Sequence, residues 1–355
     1  MRCLGLFICM VVAALLAAEN AEPEFRRGVN IAGAEFGKVP GTIHKDFTYN
    51  NEQTFRYFGE KGFDVFRVPV KWERIQPQLN GSLDAENLAA LRKNIEWAKK
   101  YDSTVLIDLH NYARRHVTID GKDKSAVIDA EIGGRVPLTR EHLADVWLKL
   151  SKEFKDEPAV YGYGLMNEPN KMGNSSWKEI SNAVVKAIRA SGDRKLILVG
   201  GDHWSNAAGW EKHNGEKSWI EDPDNNFIYE AHCYFDSDNS GSYKQTYEDE
   251  LKKNAELPNV GVRRARNFID WCAKNKVRGF IGEYGVPGND ERWNTVLENF
   301  MSALDDARMG GAYWAAGTYW GKYPLSVQPS KDDKDQPQMA VLLKHLSPAG
   351  RAARK

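Results

Sequence analysis

Along the chain, short unbroken apolar runs alternate with longer stretches in which apolar residues recur every three or four positions. The runs are Gly28–Gly33, Asp64–Val70, Thr104–His110, Tyr161–Glu168, Lys195–Gly201, Phe227–Tyr234, Gly279–Glu283 and Gly311–Gly317. Continuous apolarity, rather than strict alternation, marks strands covered on both faces. The stretches between them read as amphipathic helices. Glu86–Tyr101 sets Leu88, Leu91, Ile95 and Ala98 on one stripe. Thr139 is placed to cap a helix whose apolar face carries Leu143, Val146, Trp147 and Leu150. Ser176–Ala190, Val262–Lys276 and Asp290–Met309 repeat the pattern. Eight strands, each followed by a helix, predict an α/β fold: a (β/α)8 barrel of the TIM type. The competing architecture is an open doubly wound sheet. It is weakened because no glycine-rich phosphate loop follows the first strand.

One apolar run falls outside this rhythm. Leu4–Ala18 follows Arg2 and precedes the small residue Ala21. A basic start, an apolar stretch of about 15 residues and small residues behind it predict a secretory signal peptide over residues 1–21. A membrane anchor needs about 20 apolar residues, so no membrane association is expected after the leader is removed. No low-complexity linker or charge block divides residues 22–355, which are expected to form a single domain. The chain has 49 basic and 49 acidic side chains. That balance removes the counterion-release argument for a nucleic-acid partner. Eleven Trp and 14 Tyr are more than a core of this length requires, and part of them is expected to face a ligand.

In a barrel of this kind the chemistry sits where the strands end. The second run carries Arg67; the third ends Asp108-Leu109-His110-Asn111. The fourth ends Asn167-Glu168-Pro169, the sixth Glu230-Ala231-His232-Cys233-Tyr234, the seventh Gly282-Glu283-Tyr284, and the eighth carries Trp314. A carboxylate inside an apolar strand costs several kcal/mol unless it is paired or neutralised. Glu168 and Glu283 would face each other across one mouth, and two carboxylates in unequal environments are what glycoside hydrolysis needs.

These motifs resemble those of the family 5 glycoside hydrolases, within the wider group of (β/α)8 retaining glycosidases. Asn167-Glu168-Pro169 after Tyr163-Gly164-Leu165-Met166 is similar to the family's acid/base motif, and Ile281-Gly282-Glu283-Tyr284-Gly285 to its nucleophile strand. Arg67, His110, Asn111, His232, Tyr234 and Trp314 match further family positions in chain order. Gly28-Val29-Asn30-Ile31-Ala32-Gly33 resembles the first strand of its endoglucanases. The loop Ala113–Arg135 is long and charged and has no counterpart that aligns, and the segment after Gly321 is loosely placed.

The resemblance implies roles. Glu283 would be the nucleophile and Glu168 the acid/base, with carboxyl groups about 5–5.5 Å apart. Arg67 and Tyr234 would lower the pKa of Glu283, His232 would tune Glu168, and Asn167 would bond the sugar 2-hydroxyl. His110 and Asn111 would line the same subsite, with Trp314 and Trp204 as sugar platforms and Trp72, Tyr319, Trp320 and Tyr323 as further aromatic candidates.

Metal is the natural rival for a barrel hydrolase. Of the histidines at 44, 110, 116, 142, 203, 213, 232 and 345, no two have the spacing of a local metal pair on one helix. His110 and His232 with nearby carboxylates are the remaining combination, and no metal or cofactor is expected. Strand parity turns Cys233 away from the mouth toward the helix layer, where Cys272 lies, so a Cys233–Cys272 disulfide is expected. Sequons begin at Asn80 and Asn174 in expected loops.

The sequence thus reads as a secreted, monomeric, metal-free retaining endo-β-1,4-glucanase acting on β-glucan. Same-family action on β-mannan, xyloglucan or mixed-linkage glucan is the alternative. A non-catalytic carbohydrate-binding barrel and a metal-dependent hydrolase are the rivals from other classes.

Overall fold

A computed structural model of the protein describes residues 25–353; the expected leader, residues 1–21, lies outside them. All eight apolar runs are strands. They are β1 (Arg27–Ile31), β2 (Val65–Val70), β3 (Thr104–Leu109), β6 (Val160–Gly164), β7 (Leu196–Gly200), β8 (Phe227–His232), β9 (Gly279–Glu283) and β10 (Gly310–Ala316). They pair in parallel and close into a barrel in the order β1-β10-β9-β8-β7-β6-β3-β2. The open doubly wound sheet is thereby excluded. The interior foot of the barrel is filled by Val65, Leu106, Leu196, Leu198, Ile228, Phe280 and Ala312, one or two from each contributing strand. The larger apolar cluster lies between the sheet and the surrounding helices.

The helices form where the 3.6-residue pattern placed them, and their caps explain their starts. Asp84 accepts from the Asn87 N–H at 2.9 Å and opens the helix Ala85–Lys100. Thr139 precedes Arg140–Phe154, and its own N–H is satisfied by His142 Nδ1 at 3.0 Å. Ser176 accepts from the Glu179 N–H and opens Trp177–Ala190. No helix among the described residues is long and apolar enough to cross a membrane. Asn80 and Asn174 are both exposed, in loops as expected.

The unaligned segment is ordered. Residues 113–135 contain a β-hairpin, β4 (Arg114–Ile119) and β5 (Lys122–Val127), joined by Asp120-Gly121. Both turn residues have positive φ, 51° and 73°, which is the geometry that an Asp-Gly pair favours between two strands. That dipeptide was the available signal, and the charged faces of the strands masked it.

The expected disulfide is absent: Cys233 and Cys272 are both free and buried. Parity was right, since Cys233 does face the helix layer. Its Sγ lies 3.9 Å from the carbonyl of Gly261, in the first turn of the helix Val260–Asn275. The error is axial. That helix returns antiparallel to β8, so the end of the strand meets the start of the helix. Cys272 lies 11 residues beyond Gly261, about 16 Å down the helix at about 1.5 Å per residue. A disulfide needs Cα atoms about 4.4–6.8 Å apart.

Candidate active site

The barrel mouth is organised around one guanidinium. Arg67 points inward from the middle of β2 and is fully buried. It forms ion pairs with Glu230 at 2.8 Å, Asp108 at 3.1 Å and Glu283 at 3.2 Å. It also donates to Asn30 Oδ1 at 2.9 Å and Asn167 Oδ1 at 2.8 Å. Burial opposes its charge, but the surrounding carboxylates outweigh burial and hold its pKa above the ordinary value.

Glu168 and Glu283 meet across this mouth with His232 beside both. One carboxylate oxygen from each and one His232 ring nitrogen lie within 4.8 Å of one another. His232 Nδ1 is 2.7 Å from Glu168 and 3.5 Å from Glu283. The Tyr234 hydroxyl donates to Glu283 Oε2 at 2.8 Å. For His232, burial favours the neutral ring. The Glu283 charge and hydrogen bonds to Glu168 and Glu230 prevail and push its pKa up to about 10. The ring is therefore an imidazolium at neutral pH.

Glu283 departs from the expected direction. Its carboxyl is pushed up, to about 7, chiefly by burial and also by the Glu168 charge. His232, Arg67 and Tyr234 all pull it down but do not overcome desolvation. The expectation that Arg67 and Tyr234 leave it below its ordinary value is corrected. Arg67 and Tyr234 are directed at Glu283, and His232 lies closest to Glu168, so each member of the pair has its own donors.

Backbone irregularities aim the two carboxylates. Regular alternation from Phe280 would turn Glu283 outward, because Gly282 occupies the inward position. The β8–β9 register shifts after Ala231↔Ile281, so that His232 pairs with Glu283, and this bulge rotates Glu283 back into the mouth. Gly282 is a glycine for a reason of space: a Cβ there would lie 1.8 Å from Glu230 Oε1. Glu168 lies beyond the end of β6 rather than inside it. It adopts φ 46°, a left-handed conformation costing roughly 1–3 kcal/mol in a residue with a side chain. Neighbouring strands hold that segment: Asn167 N–H donates to the Leu109 carbonyl at 2.8 Å, and Leu165 N–H to Leu198 at 3.0 Å.

The other expected residues divide. His110 joins the mouth, its ring stacked on Trp314 at 5.6 Å. Trp314 lines the same floor, with Trp320 edge-on at 5.8 Å. Trp204 stands at the rim, 38% exposed, with Lys171 Nζ 5.7 Å from its ring centre. Its N–H donates to Pro169 at 3.0 Å, which fixes it beside the Glu168 loop. Residues 203–205 are three consecutive residues with positive φ. Tyr319 is exposed, and Trp320 and Tyr323 are partly buried beside Trp314.

Asn111 does not line the mouth. Its Oδ1 accepts from the Trp72 N–H at 2.8 Å, and its Nδ2 donates to Glu73 at 2.8 Å and to the Arg114 carbonyl at 3.1 Å. One residue past the inward-facing His110, it ties the third strand's end to the hairpin. Trp72 is likewise core: it is fully buried, and its indole N–H donates to Gln76 at 3.0 Å.

Three mouth residues carry no assignment from sequence: Asn30, Asp108 and Glu230. All are buried. Their signal was parity, since Asp108 and Glu230 each stand two residues before a mouth histidine, on the inward face of an apolar strand. Among the described residues, Glu168, His232 and Glu283 are the group whose ligand atoms converge tightly enough for a metal ion. The set fits a cation poorly. Binding would require the His232 proton to leave, beside the Arg67 guanidinium 3.2 Å from Glu283.

The comparisons agree with this geometry. A family model described as Cellulase (glycosyl hydrolase family 5) matches residues 26–319. Endo-beta-1,4-glucanase B of Aspergillus niger is 30% identical over 306 residues, 85% of this chain and 84% of that protein. The crystal structure of Pseudomonas stutzeri endoglucanase Cel5A in complex with cellobiose is 36% identical with a TM-score of 0.80, covering 90% of this chain and 92% of that one. XacCel5A in complex with cellopentaose is 37% identical with a TM-score of 0.78, covering 91% and 99%.

Proposed function

The chain belongs to glycosyl hydrolase family 5, and from that premise we propose that it is an exported, retaining endo-β-1,4-glucanase. It is a glycoside hydrolase by family; the bond, stereochemistry and export are our reading. One observation supports the mechanism above the others: one carboxylate oxygen of Glu168 and one of Glu283 lie within 4.8 Å of each other. So close an approach favours direct attack, for which carboxyl groups about 5–5.5 Å apart are usual. Inverting enzymes keep about 6.5–9.5 Å to admit a water.

In this reading a Glu283 oxygen attacks the anomeric carbon as Glu168 delivers its proton to the glycosidic oxygen. The aglycone leaves and a glycosyl-enzyme forms. Glu168, now a carboxylate, takes a proton from an incoming water, whose oxygen displaces Glu283 with net retention. Arg67 and Tyr234 stabilise Glu283 as its charge returns. His232 holds Glu168 in position. Asn167 faces the 2-hydroxyl, a contact that strengthens toward the transition state. Trp314 supports the sugar at the cleavage point and Trp204 the sugars beyond it.

The substrate proposal is supported by the relatives' names and by the cellobiose and cellopentaose bound to the two solved structures. Export is supported by the leader sequence. The test is reducing-sugar release from carboxymethylcellulose, lichenan, glucomannan, galactomannan and xylan by wild type and Glu283→Ala, with chelator present. Wild-type cleavage of cellulose with a silent variant supports the reading. Exclusive cleavage of a mannan or xylan reassigns the substrate. Full activity of the variant removes the mechanism.

A further inference from the structure

The mouth contains a closed ring of four buried side chains that the reaction scheme leaves partly unused. Asp108 Oδ2 is 2.8 Å from His110 Nδ1. His110 Nε2 is 3.1 Å from Asn167 Nδ2. Asn167 Oδ1 accepts from Arg67 Nη2 at 2.8 Å, and Arg67 Nη2 is 3.1 Å from Asp108 Oδ1. All four are buried, none more than 4% exposed. Bulk water therefore does not compete for these contacts.

A neutral imidazole has one donor and one acceptor nitrogen. A carboxylate oxygen at Nδ1 requires the proton to be there. Nε2 is then a lone pair, and it can face only a donor. That selects the orientation of the Asn167 amide: NH2 toward His110, oxygen toward Arg67. One amide hydrogen is consumed by His110, and the second is left for the substrate. Burial and the Arg67 and Lys71 charges hold the His110 pKa well below its ordinary value, so the ring stays neutral and keeps its acceptor.

We propose that Asp108 is a positioning residue for catalysis: by fixing the His110 tautomer, it locks the Asn167 amide with a hydrogen aimed at the 2-hydroxyl of the sugar being cleaved. The proposal rests on the role given above to Asn167. Asp108 touches no substrate and acts through two intermediaries.

Asp108→Asn is the informative substitution because it keeps the volume. Its single oxygen is drawn to the Arg67 cation, which turns its NH2 toward His110 Nδ1. That nitrogen then has to accept, and the proton moves to Nε2, opposite the Asn167 NH2. Two donors face each other, and the amide loses its register.

The first test needs no variant. Nitrogen-15 NMR of the His110 ring in the wild-type protein, at a pH above about 7 so that Asp108 is a carboxylate, should show a protonated Nδ1 and a bare Nε2; an Nε2–H tautomer there overturns the proposal. The second compares kcat/KM for an aryl β-cellobioside and its analogue lacking the 2-hydroxyl on the sugar at the cleavage point. For Asp108→Asn, the parent substrate should lose about 10- to 100-fold, the range typical of lost outer partners. The deoxy analogue should lose far less, with the melting temperature little changed. Equal losses on both substrates, or none, overturn the positioning role. Asn167→Ala in the same assay separates the two levels. If it keeps the preference for the 2-hydroxyl, the reading of Asn167 fails. If it loses the preference while Asp108→Asn keeps it, Asp108 has no such role.

Discussion

Two arginines are sealed into the sheet, one at each end, and they are held in opposite ways. Arg67 lies in the mouth against three carboxylates. Arg27 starts β1 at the foot, where it donates to the Met309 carbonyl and to Asp305 at 2.8 Å and stacks over Phe25 at 4.5 Å. At the foot, Asp305 also meets His345 at 2.8 Å, which reaches Glu298 at 3.1 Å, and both acids are partly exposed. Charge is matched locally there, and the network fastens the C-terminal segment to the barrel. In the mouth two cations, Arg67 and His232, face four acids: Asp108, Glu168, Glu230 and Glu283. Burial raises the carboxyl pKa values there and the neighbouring acids add to it, with Asp108 and Glu283 each raised to about 7. The matched pairs at the foot hold their charges, whereas the crowded acids of the mouth make carboxyl ionisation sensitive to burial and to neighbouring charge.

The comparison breaks first, if it breaks, at Glu283. Glu283→Ala should lower kcat by roughly 10^4-fold or more, the scale of losing a covalent nucleophile. Azide should restore turnover of an activated aryl glycoside, giving a glycosyl azide of inverted configuration. An equally active variant would place the chemistry elsewhere.

The arginines provide the next test. Arg67→Leu should reduce kcat roughly 10^2- to 10^3-fold through lost electrostatic stabilisation. It should also move the acidic limb of the pH–rate profile upward, since Arg67 lowers the Glu283 pKa. Arg27→Leu should leave kcat/KM intact and cost about 3 kcal/mol in chemical denaturation, the lower end for breaking a buried pair. Exchanged outcomes would mean that the two ends have been misread.

At the rim, Trp204→Ala should raise KM for long cello-oligosaccharides about 3- to 10-fold with kcat unchanged, as expected for one stacking contact.

Stability should depend on pH through the mouth. Folded Glu283 binds its proton more tightly than an ordinary carboxyl of 4.5, its pKa being raised to about 7. Its stabilising contribution is therefore full below about 4.5 and is lost as pH rises through about 7. Calorimetry should show a falling melting temperature across that window, with a shallower slope in Glu283→Gln. The smallest effect belongs to the cysteines. Burial pushes the Cys233 thiol up to about 12 and the Cys272 thiol upward too. Both should react with a thiol reagent only after denaturation, and reductant should leave the melting temperature unchanged.

The architecture was legible because strand and helix obey short periods. Eight apolar runs each became a strand, and Arg67, His110, Asn167, Glu168, His232, Tyr234, Glu283 and Trp314 do converge. The misses share a cause. Parity says which face a residue takes, but not how far along the barrel its neighbour lies, which misled the pairing of Cys233 with Cys272. It also cannot tell that Asn111, one position past His110, has already spent its amide on Trp72, Glu73 and Arg114. The charge on Glu283 failed for a different reason. The residue types promise a cation and a hydroxyl beside it, and only burial reveals the desolvation that outweighs them.

What the sequence alone determined, then, is the order of elements and the chemical inventory at the strand ends, because period and composition are local properties. The closed barrel decided the rest: the bulge that turns Glu283 inward, the space that Gly282 leaves for Glu230, and the surplus of acid around Arg67. Those depend on distances between residues far apart in the chain, and on how much water the fold removes from between them.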